Sequence, residues 1–284
     1  PLQLQNEVIF LIHHAIADGL SCVHLNAHCF KYYQHLAAGE DITIEPLPLL
    51  DAVERMLDHT KLPPHNSVDV KPVKLSPFFY QQKAPLSERR TKNIYRSIAS
   101  KELANFLSAC RAKSRSVNSV INAILLLTVA EMERDTLNLS LLTPLNLRPY
   151  CQPTVGVEHF GCYITCVTTQ HNSVAAENDV WQLAAAYSKQ LLQQMAQLDQ
   201  LATDLSQAAL QEQSQLLCCD DAETRTQYPA GFVVSNKGRI DVPMVYGELE
   251  WQQYYTTSSR RAGDIVVNLS LTTIQENMFL CFSY

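Results

Sequence analysis

Apolar side chains recur with helical spacing in several parts of this chain. Steps of three and four residues predict a helix at residues 20–30. Residues 101–113 have a helical pattern, and residues 117–134 are apolar enough for a largely buried helix. A Gln-rich region at residues 181–217 carries its apolar side chains on one face. These faces require a sheet or other helices to pack against.

Other segments have the patterns of β-strands. The continuous apolar run at residues 8–12 predicts a buried strand, and further strands are predicted at residues 137–141, 160–169, 231–236 and 267–272. A polar turn at residues 275–277 joins the last of these to a strand at residues 278–284 that nothing covers. Strands and helices alternate without an internal repeat, so the predicted fold class is α/β, built as α+β layers.

Proline content divides the chain. Seven of the 13 prolines lie between residues 46 and 85, where they break helices and central strands. We therefore predict an N-terminal part at residues 1–62, an extended linker at residues 63–92 and a C-terminal part at residues 93–284.

Composition narrows the classes of protein that this chain fits. The 284 residues are 46% hydrophobic, which is enough for a sizeable core. A net charge of −6 without a basic block argues against a nucleic-acid partner, and no apolar run is long enough to cross a bilayer. The nine cysteines form no CxxC pair, so we expect reduced thiols in a cytoplasmic protein.

The candidate chemistry lies in HHAIADG, residues 13–19, directly after the predicted strand at residues 8–12. Because neighbouring side chains on a strand face opposite ways, only one of His13 and His14 can face a given cleft. We assign His14 as a general base and expect His13 to pack behind it. The alternative for His14 is a hydrogen-bonded core histidine. Gly19 has no side chain that would block an incoming ligand.

This motif resembles the HHxxxDG signature of the chloramphenicol-acetyltransferase-like acyltransferases, a superfamily that includes peptide-synthetase condensation domains. Two further segments agree with the resemblance. PLNLRPY at residues 144–150 is similar to the Asn-x-Arg segment that supplies a structural arginine, and SNKGRI at residues 235–240 is similar to the Ser-Asn-x-Gly segment of the alcohol acetyltransferase and polyketide-associated branches. The resemblance implies a two-lobe sandwich of which this chain lacks most of the N-terminal lobe: residues 1–62 would be the remainder of that lobe and residues 93–284 the C-terminal lobe.

The resemblance also implies roles for individual residues. Asp18 would turn away from the catalytic ring and form a structural salt bridge with Arg148, although contact with the ring itself, or two surface charges, remain alternatives. Ser235 and Asn236, before Gly238, are candidates for stabilising an oxyanion or shaping an acyl channel. An ordinary turn at these three residues is the competing interpretation.

The implied activity is transfer of an acyl group from a thioester to a hydroxyl or amine. The donor would be an acyl-coenzyme A or the phosphopantetheine arm of a carrier protein, acting as co-substrate, with no permanently bound cofactor. The acceptor would be a small-molecule alcohol or amine. We expect the missing N-terminal lobe, or another chain, to complete the site.

Two other functions stay open at this point. A non-catalytic interaction or docking module would retain the fold without the chemistry. A metal-dependent hydrolase would use His24 and His28, whose spacing places them on one helix face, but a complete ligand set is not evident and we expect no metal. Cys22 is close enough to the histidines to be a thiol nucleophile, although its place in an amphipathic helix favours a structural role.

Overall fold

The computed structural model describes residues 6–62, 75–76, 88, 90–198, 231–258 and 265–284. The helices in these ranges are α1 (Gly19–Ala37), α2 (Val53–Met56), α3 (Ser100–Ala112), α4 (Val117–Glu133) and α5 (Val180–Met195). The strands are β1 (Asn93–Ile98), β2 (Leu137–Asn146), β3 (Ile164–Val174), β4 (Phe232–Ile240), β5 (Val245–Tyr246), β6 (Leu249–Glu250), β7 (Val267–Ile274) and β8 (Asn277–Ser283).

Six of these strands form one mixed sheet in the order β1-β8-β7-β4-β2-β3. β4 runs parallel to both of its neighbours, β2 and β7, while the other pairs are antiparallel. β5 and β6 form a separate two-stranded ribbon. The fold class is therefore the α+β layered arrangement that the sequence pattern predicts.

Helices α3, α4 and α5 cover one face of the sheet. Leu139 and Leu141 of β2 pack against Leu126 of α4 and Tyr187 of α5. Farther along the sheet, alternate residues of β7 and β8 pack against α3 and α4. The apolar face of the strands, with every second residue apolar, packs against the apolar face of α4, with its helical spacing. Because both faces are buried, both patterns are visible in the sequence.

Helix α1 lies on the opposite face, over the ends of β4, β7 and β8. Its residues Val23 and Ala27 are buried against Ile240, Ile274 and Phe279. The segment that connects β4 to β7 adds a further aromatic cluster to this core, formed by Tyr246, Trp251 and Tyr254. The apolar stripe predicted for residues 20–30 is thus confirmed, and its burial fixes the start of α1 over the sheet.

Several predicted elements are confirmed with shifted ends. The helices at residues 101–113 and 117–134 are α3 and α4, and the Gln-rich region begins as α5. Its predicted continuation beyond residue 198 lies outside the described residues, as does most of the predicted linker at residues 63–92. The predicted hairpin near the end of the sequence is β7 and β8.

The predicted strand at residues 8–12 is wrong. This segment has no strand partner among the described residues, and Val8, Ile9 and Leu11 are exposed. An apolar run satisfies the side-chain requirement of a strand, but the strand forms only where a neighbouring backbone supplies hydrogen bonds.

The prediction that nothing covers residues 278–284 is also wrong. β8 lies between β1 and β7, and Met278, Phe279 and Cys281 are buried. The sequence pattern missed β1, whose side chains are mostly exposed, and its pairing partner is distant in the chain.

Among the described helices, none alone has the length and apolar character to span a bilayer. α3 and α4 meet that test only as a pair, and they are bent by 98° relative to each other.

Candidate active site

The two motif histidines lie in a turn that leads into α1. The backbone N–H of Ile16 donates to the carbonyl oxygen of His13 at 3.0 Å, and Nδ1 of His13 accepts from the N–H of Ala15 at 3.2 Å. The side chains of His13 and His14 are both exposed. The expectation that His13 packs behind His14 is therefore wrong for the described residues, because the segment turns and strand alternation does not apply.

Asp18, the next polar residue of the motif, is 1% exposed and faces Arg148. Nη1 of Arg148 lies 2.8 Å from Oδ2 of Asp18, and Nη2 lies 3.0 Å from Oδ1. The carboxylate also accepts the backbone N–H of Ser21 at 2.9 Å, which caps α1, and that of Tyr163 at 2.8 Å. All of its hydrogen-bonding capacity is directed away from the histidines.

Three segments meet at this ion pair: the start of α1, the residues after β2 and the residues before β3. Oγ of Ser21 donates to the carbonyl oxygen of Gly161 at 2.8 Å and accepts from Nη2 of Arg148 at 2.8 Å. The guanidinium carbon of Arg148 lies 4.7 Å from the ring centre of Tyr163. The motif turn is therefore anchored to the sheet by charge, hydrogen bonds and ring contact together.

Sequence reasoning missed Ser21, Gly161 and Tyr163. Ser21 has one usable signal, since a helix capped by Asp18 brings the third residue after the cap to the carboxylate. Gly161 and Tyr163 have none, because only the fold brings them near Asp18.

The second predicted segment, Ser235 to Gly238, lies on β4 and is half-buried. The N–H of Gly238 donates to Oδ1 of Asn236 at 2.8 Å, and Gly238 has φ +72°. The pairing of β4 with β7 shifts register between Asn236 and Arg239, which indicates a bulge. The turn interpretation thus describes Asn236 and Gly238, while Ser235 lies in the strand opposite Ser270.

Lys237, which the sequence reasoning did not select, connects this bulge to the histidine motif. Its side chain crosses Gly19, where an added Cβ would collide with Cε of Lys237 and lie 3.1 Å from Cδ. Gly19 therefore leaves room for the flexible end of Lys237, and room for a ligand at this glycine stays a prediction. Nζ of Lys237 donates to Oγ of Ser270 at 2.6 Å.

The other candidate residues of α1 lie in less reactive surroundings. Burial raises the pKa of the Cys22 thiol, and the charge of Asp18 raises it further, so the thiol is a poor nucleophile near neutral pH. Burial lowers the pKa of His24, and the charges of His28 and Arg148 act in the same direction. Within the described ranges, no group of three or more His, Cys, Asp or Glu side chains is arranged to hold a metal ion.

The mixed sheet and its helical layer have the fold of the chloramphenicol-acetyltransferase-like condensation proteins. Within that class, the family model of the phthiocerol/phthiodiolone dimycocerosyl transferase C-terminus matches residues 89–270. The chain belongs to this family. No curated protein sequence matches it significantly.

Three solved structures have the same fold. The epimerization domain from the third module of tyrocidine synthetase B matches with a TM-score of 0.59, at 12% identity over 96% of this chain and 62% of its own. Polyketide synthase associated protein 5 from Mycobacterium tuberculosis matches with a TM-score of 0.53, at 14% identity over 96% of this chain and 67% of its own.

The third, trichothecene 15-O-acetyltransferase from Fusarium sporotrichioides, matches with a TM-score of 0.58, at 9% identity over 94% of this chain and 59% of its own. The chain thus spans less than two thirds of the length of two of these three structures. At such identities the likeness concerns the fold.

Proposed function

We propose that this chain provides the catalytic motif of an acyltransferase, with His14 as the general base. The observation that carries the proposal is the anchored turn: Asp18, four residues after His14, is held by Arg148, Ser21 and Tyr163. A base must be held in a fixed position to take a proton from an acceptor, and this anchor fixes the backbone beside the exposed imidazole. Membership of a transferase family supports the same reaction class.

The proposed reaction needs no covalent enzyme intermediate. Neutral His14 takes the proton of the acceptor hydroxyl or amine as its oxygen or nitrogen attacks the thioester carbonyl carbon. The carbonyl oxygen becomes an oxyanion, for which the hydroxyl of Ser235 and the amide of Asn236 are the candidate donors on β4. The carbon–sulfur bond then breaks, and the proton on His14 passes to the leaving thiolate.

The proposed donor is an acyl-coenzyme A or a carrier-protein phosphopantetheine thioester, used as a co-substrate. One structural relative is named as a polyketide synthase associated protein, which supports a donor of this kind. The seven described cysteines are free thiols. The proposed site of reaction is the cytoplasm, as expected from the sequence.

The test is acceptor-dependent thiol release from a panel of acyl-coenzyme A thioesters by the full-length protein. We expect His14→Ala to lower the rate by roughly 10²- to 10⁴-fold, the usual contribution of a general base. The matched control is His35→Ala, at the other end of α1. Equal rates for wild type and His14→Ala would refute the assignment of the base.

A non-catalytic docking module is the second candidate, and the exposure of Val8, Ile9 and Leu11 beside the motif favours it. It predicts no acceptor-dependent thiol release from any thioester.

A further inference from the structure

Lys237 is half-buried, and its ammonium group has no carboxylate partner among the described residues. Nζ of Lys237 donates a hydrogen bond to the neutral hydroxyl of Ser270 at 2.6 Å. None of the ion pairs formed by described residues includes Lys237. A charge that is partly removed from water without an ionic partner is costly, and a bound anion would offset that cost.

Local backbone features at both ends of the Lys237 side chain determine where it lies. The bulge in β4 redirects Lys237, and Gly238 supplies the left-handed backbone that the bulge requires. At the other end, Gly19 leaves the space through which the aliphatic part of Lys237 passes. Two of the 8 glycines in the chain, Gly19 and Gly238, thus lie where the position of Lys237 favours a residue without a side chain.

The surroundings of Nζ are hydroxyl groups. Oγ of Ser270 lies 2.6 Å from Oγ1 of Thr256, so the ammonium and two hydroxyls form one polar cluster on the sheet face that carries α1. The nearest carboxylate that acts on Lys237 is Asp18, which is already saturated by Arg148 and two backbone N–H groups. Burial lowers the pKa of Lys237 to about 8, which still leaves it mostly protonated at neutral pH.

We propose that Lys237, with Ser270 and Thr256, binds a carboxylate group carried by one of the two substrates. This proposal rests on the acyl-transfer function above, and it narrows the substrate class to acids: either a dicarboxylic acyl group or a hydroxy- or amino-acid acceptor. A single ammonium with two hydroxyls matches one negative charge. A phosphate dianion would call for additional cations or backbone donors, and the nearby Arg148 is committed to Asp18.

The experiment compares paired substrates that differ by one carboxylate. Succinyl-coenzyme A is set against butyryl-coenzyme A for the donor, and a hydroxy acid against its methyl ester for the acceptor. In wild type, we expect kcat/KM to favour the acid of one pair by at least about tenfold, and the pair that responds identifies which substrate carries the group. In Lys237→Met, and in Lys237→Gln as a second variant, this ratio should fall towards one through KM.

The matched control is Lys101→Met, an exposed lysine at the start of α3, which should keep the wild-type ratio. A wild-type ratio near one for both pairs overturns the proposal, and so does a ratio that Lys237→Met leaves unchanged.

A binding measurement that needs no catalytic turnover tests this proposal independently of the proposed acyl transfer. Succinate should slow reductive methylation of Lys237, followed by peptide mass spectrometry, while the rate at Lys101 stays constant. If no thioester is turned over but succinate protects Lys237, acyl transfer fails and the carboxylate site stands. Lack of protection in that case overturns the carboxylate site as well.

Discussion

Asp18 and Arg148, which are 130 positions apart in the chain, meet in a two-contact ion pair of 2.8 and 3.0 Å whose carboxylate is almost completely buried. The pair joins the start of α1 to the end of β2, and it determines where the histidine turn lies relative to the sheet.

Loss of Arg148 should be among the most damaging single substitutions at this site. Arg148→Ala leaves the Asp18 carboxylate buried with its backbone donors alone, so we expect the free energy of unfolding to fall by about 3–5 kcal/mol. Arg148→Lys keeps the charge but loses the fork-shaped contact, and its loss should be smaller. Urea denaturation measures both.

The control for this pair is Arg111→Ala, an exposed arginine near the end of α3. Its effect should stay within about 0.5 kcal/mol. Equal stability losses for Arg111→Ala and Arg148→Ala would show that the Asp18 contact does not stabilise the fold.

Gly19 and Lys237 should be energetically coupled. In wild type, Gly19→Ala brings its Cβ against Cε of Lys237, so the flexible end of that side chain must move and give up its hydrogen bond to Ser270, which should cost about 1 kcal/mol. In a Lys237→Ala background the obstruction is gone, and the same substitution should be neutral or slightly stabilising, since alanine has less conformational freedom than glycine in the unfolded chain. A double-mutant cycle read by thermal or urea denaturation gives the coupling energy.

Gly39→Ala is the matched control for that cycle. Gly39 has φ +75° and open space around it, so its substitution costs backbone strain without contact to Lys237. Additive effects of Gly19→Ala and Lys237→Ala would contradict the close approach of these two residues.

The bulge that directs Lys237 depends on Gly238. With φ +72° and no heavy atom near an added Cβ, Gly238→Ala should cost about 1–2 kcal/mol from backbone strain alone. Gly238→Asn should cost less, because asparagine tolerates left-handed backbone. If denaturation shows Asn to be the worse substitution, side-chain contact rather than strain controls this position.

His171 should make stability pH-dependent below neutrality. It is 3% exposed in the core beside Tyr187, and burial lowers its pKa from 6.5 to about 4. Between these pH values the unfolded chain binds a proton that the folded chain does not, so stability falls as pH drops from 6.5 towards 4. The loss should reach roughly 3 kcal/mol.

The measurement is urea denaturation at pH 7 and pH 4 for wild type and His171→Gln, because the difference between them isolates this imidazole. Thr169→Val removes the hydrogen bond at 3.0 Å but keeps the imidazole, so its pH dependence should persist. The same pH dependence in wild type and His171→Gln would place the effect elsewhere.

The helical layer could be predicted because its signals are local. The apolar spacing within α4 and the alternation within β7 each involve residues that are near one another in sequence. The residues that these patterns mark as apolar are the ones buried between helix and sheet. The same reasoning failed at residues 8–12, where apolar character was present but no described strand lies alongside.

In the candidate site too, the residues with a local sequence signal could be predicted and those placed by long-range contacts could not. Two motifs and a family resemblance were enough to associate Asp18 with Arg148. They did not identify Tyr163 or Ser270, because neither residue belongs to a motif. Only the order of the strands in the sheet brings Tyr163 to Asp18 and Ser270 to Lys237. Lys237 lay inside a recognised segment yet was overlooked, since a charged residue beside a turn usually points to solvent.

The sequence by itself determined the α+β class, the positions of most helices and strands, and the motif that begins at His13. Those features depend on local periodicity and on residue chemistry that is readable along the chain. Only the tertiary structure decided that β8 is a central strand, that Gly19 accommodates Lys237, and that Asp18 is saturated by three distant or neighbouring segments. Contacts of that kind join residues that are distant in sequence, and they form only when the strands pair and the helices pack on the sheet. No local sequence pattern specifies which distant residues meet.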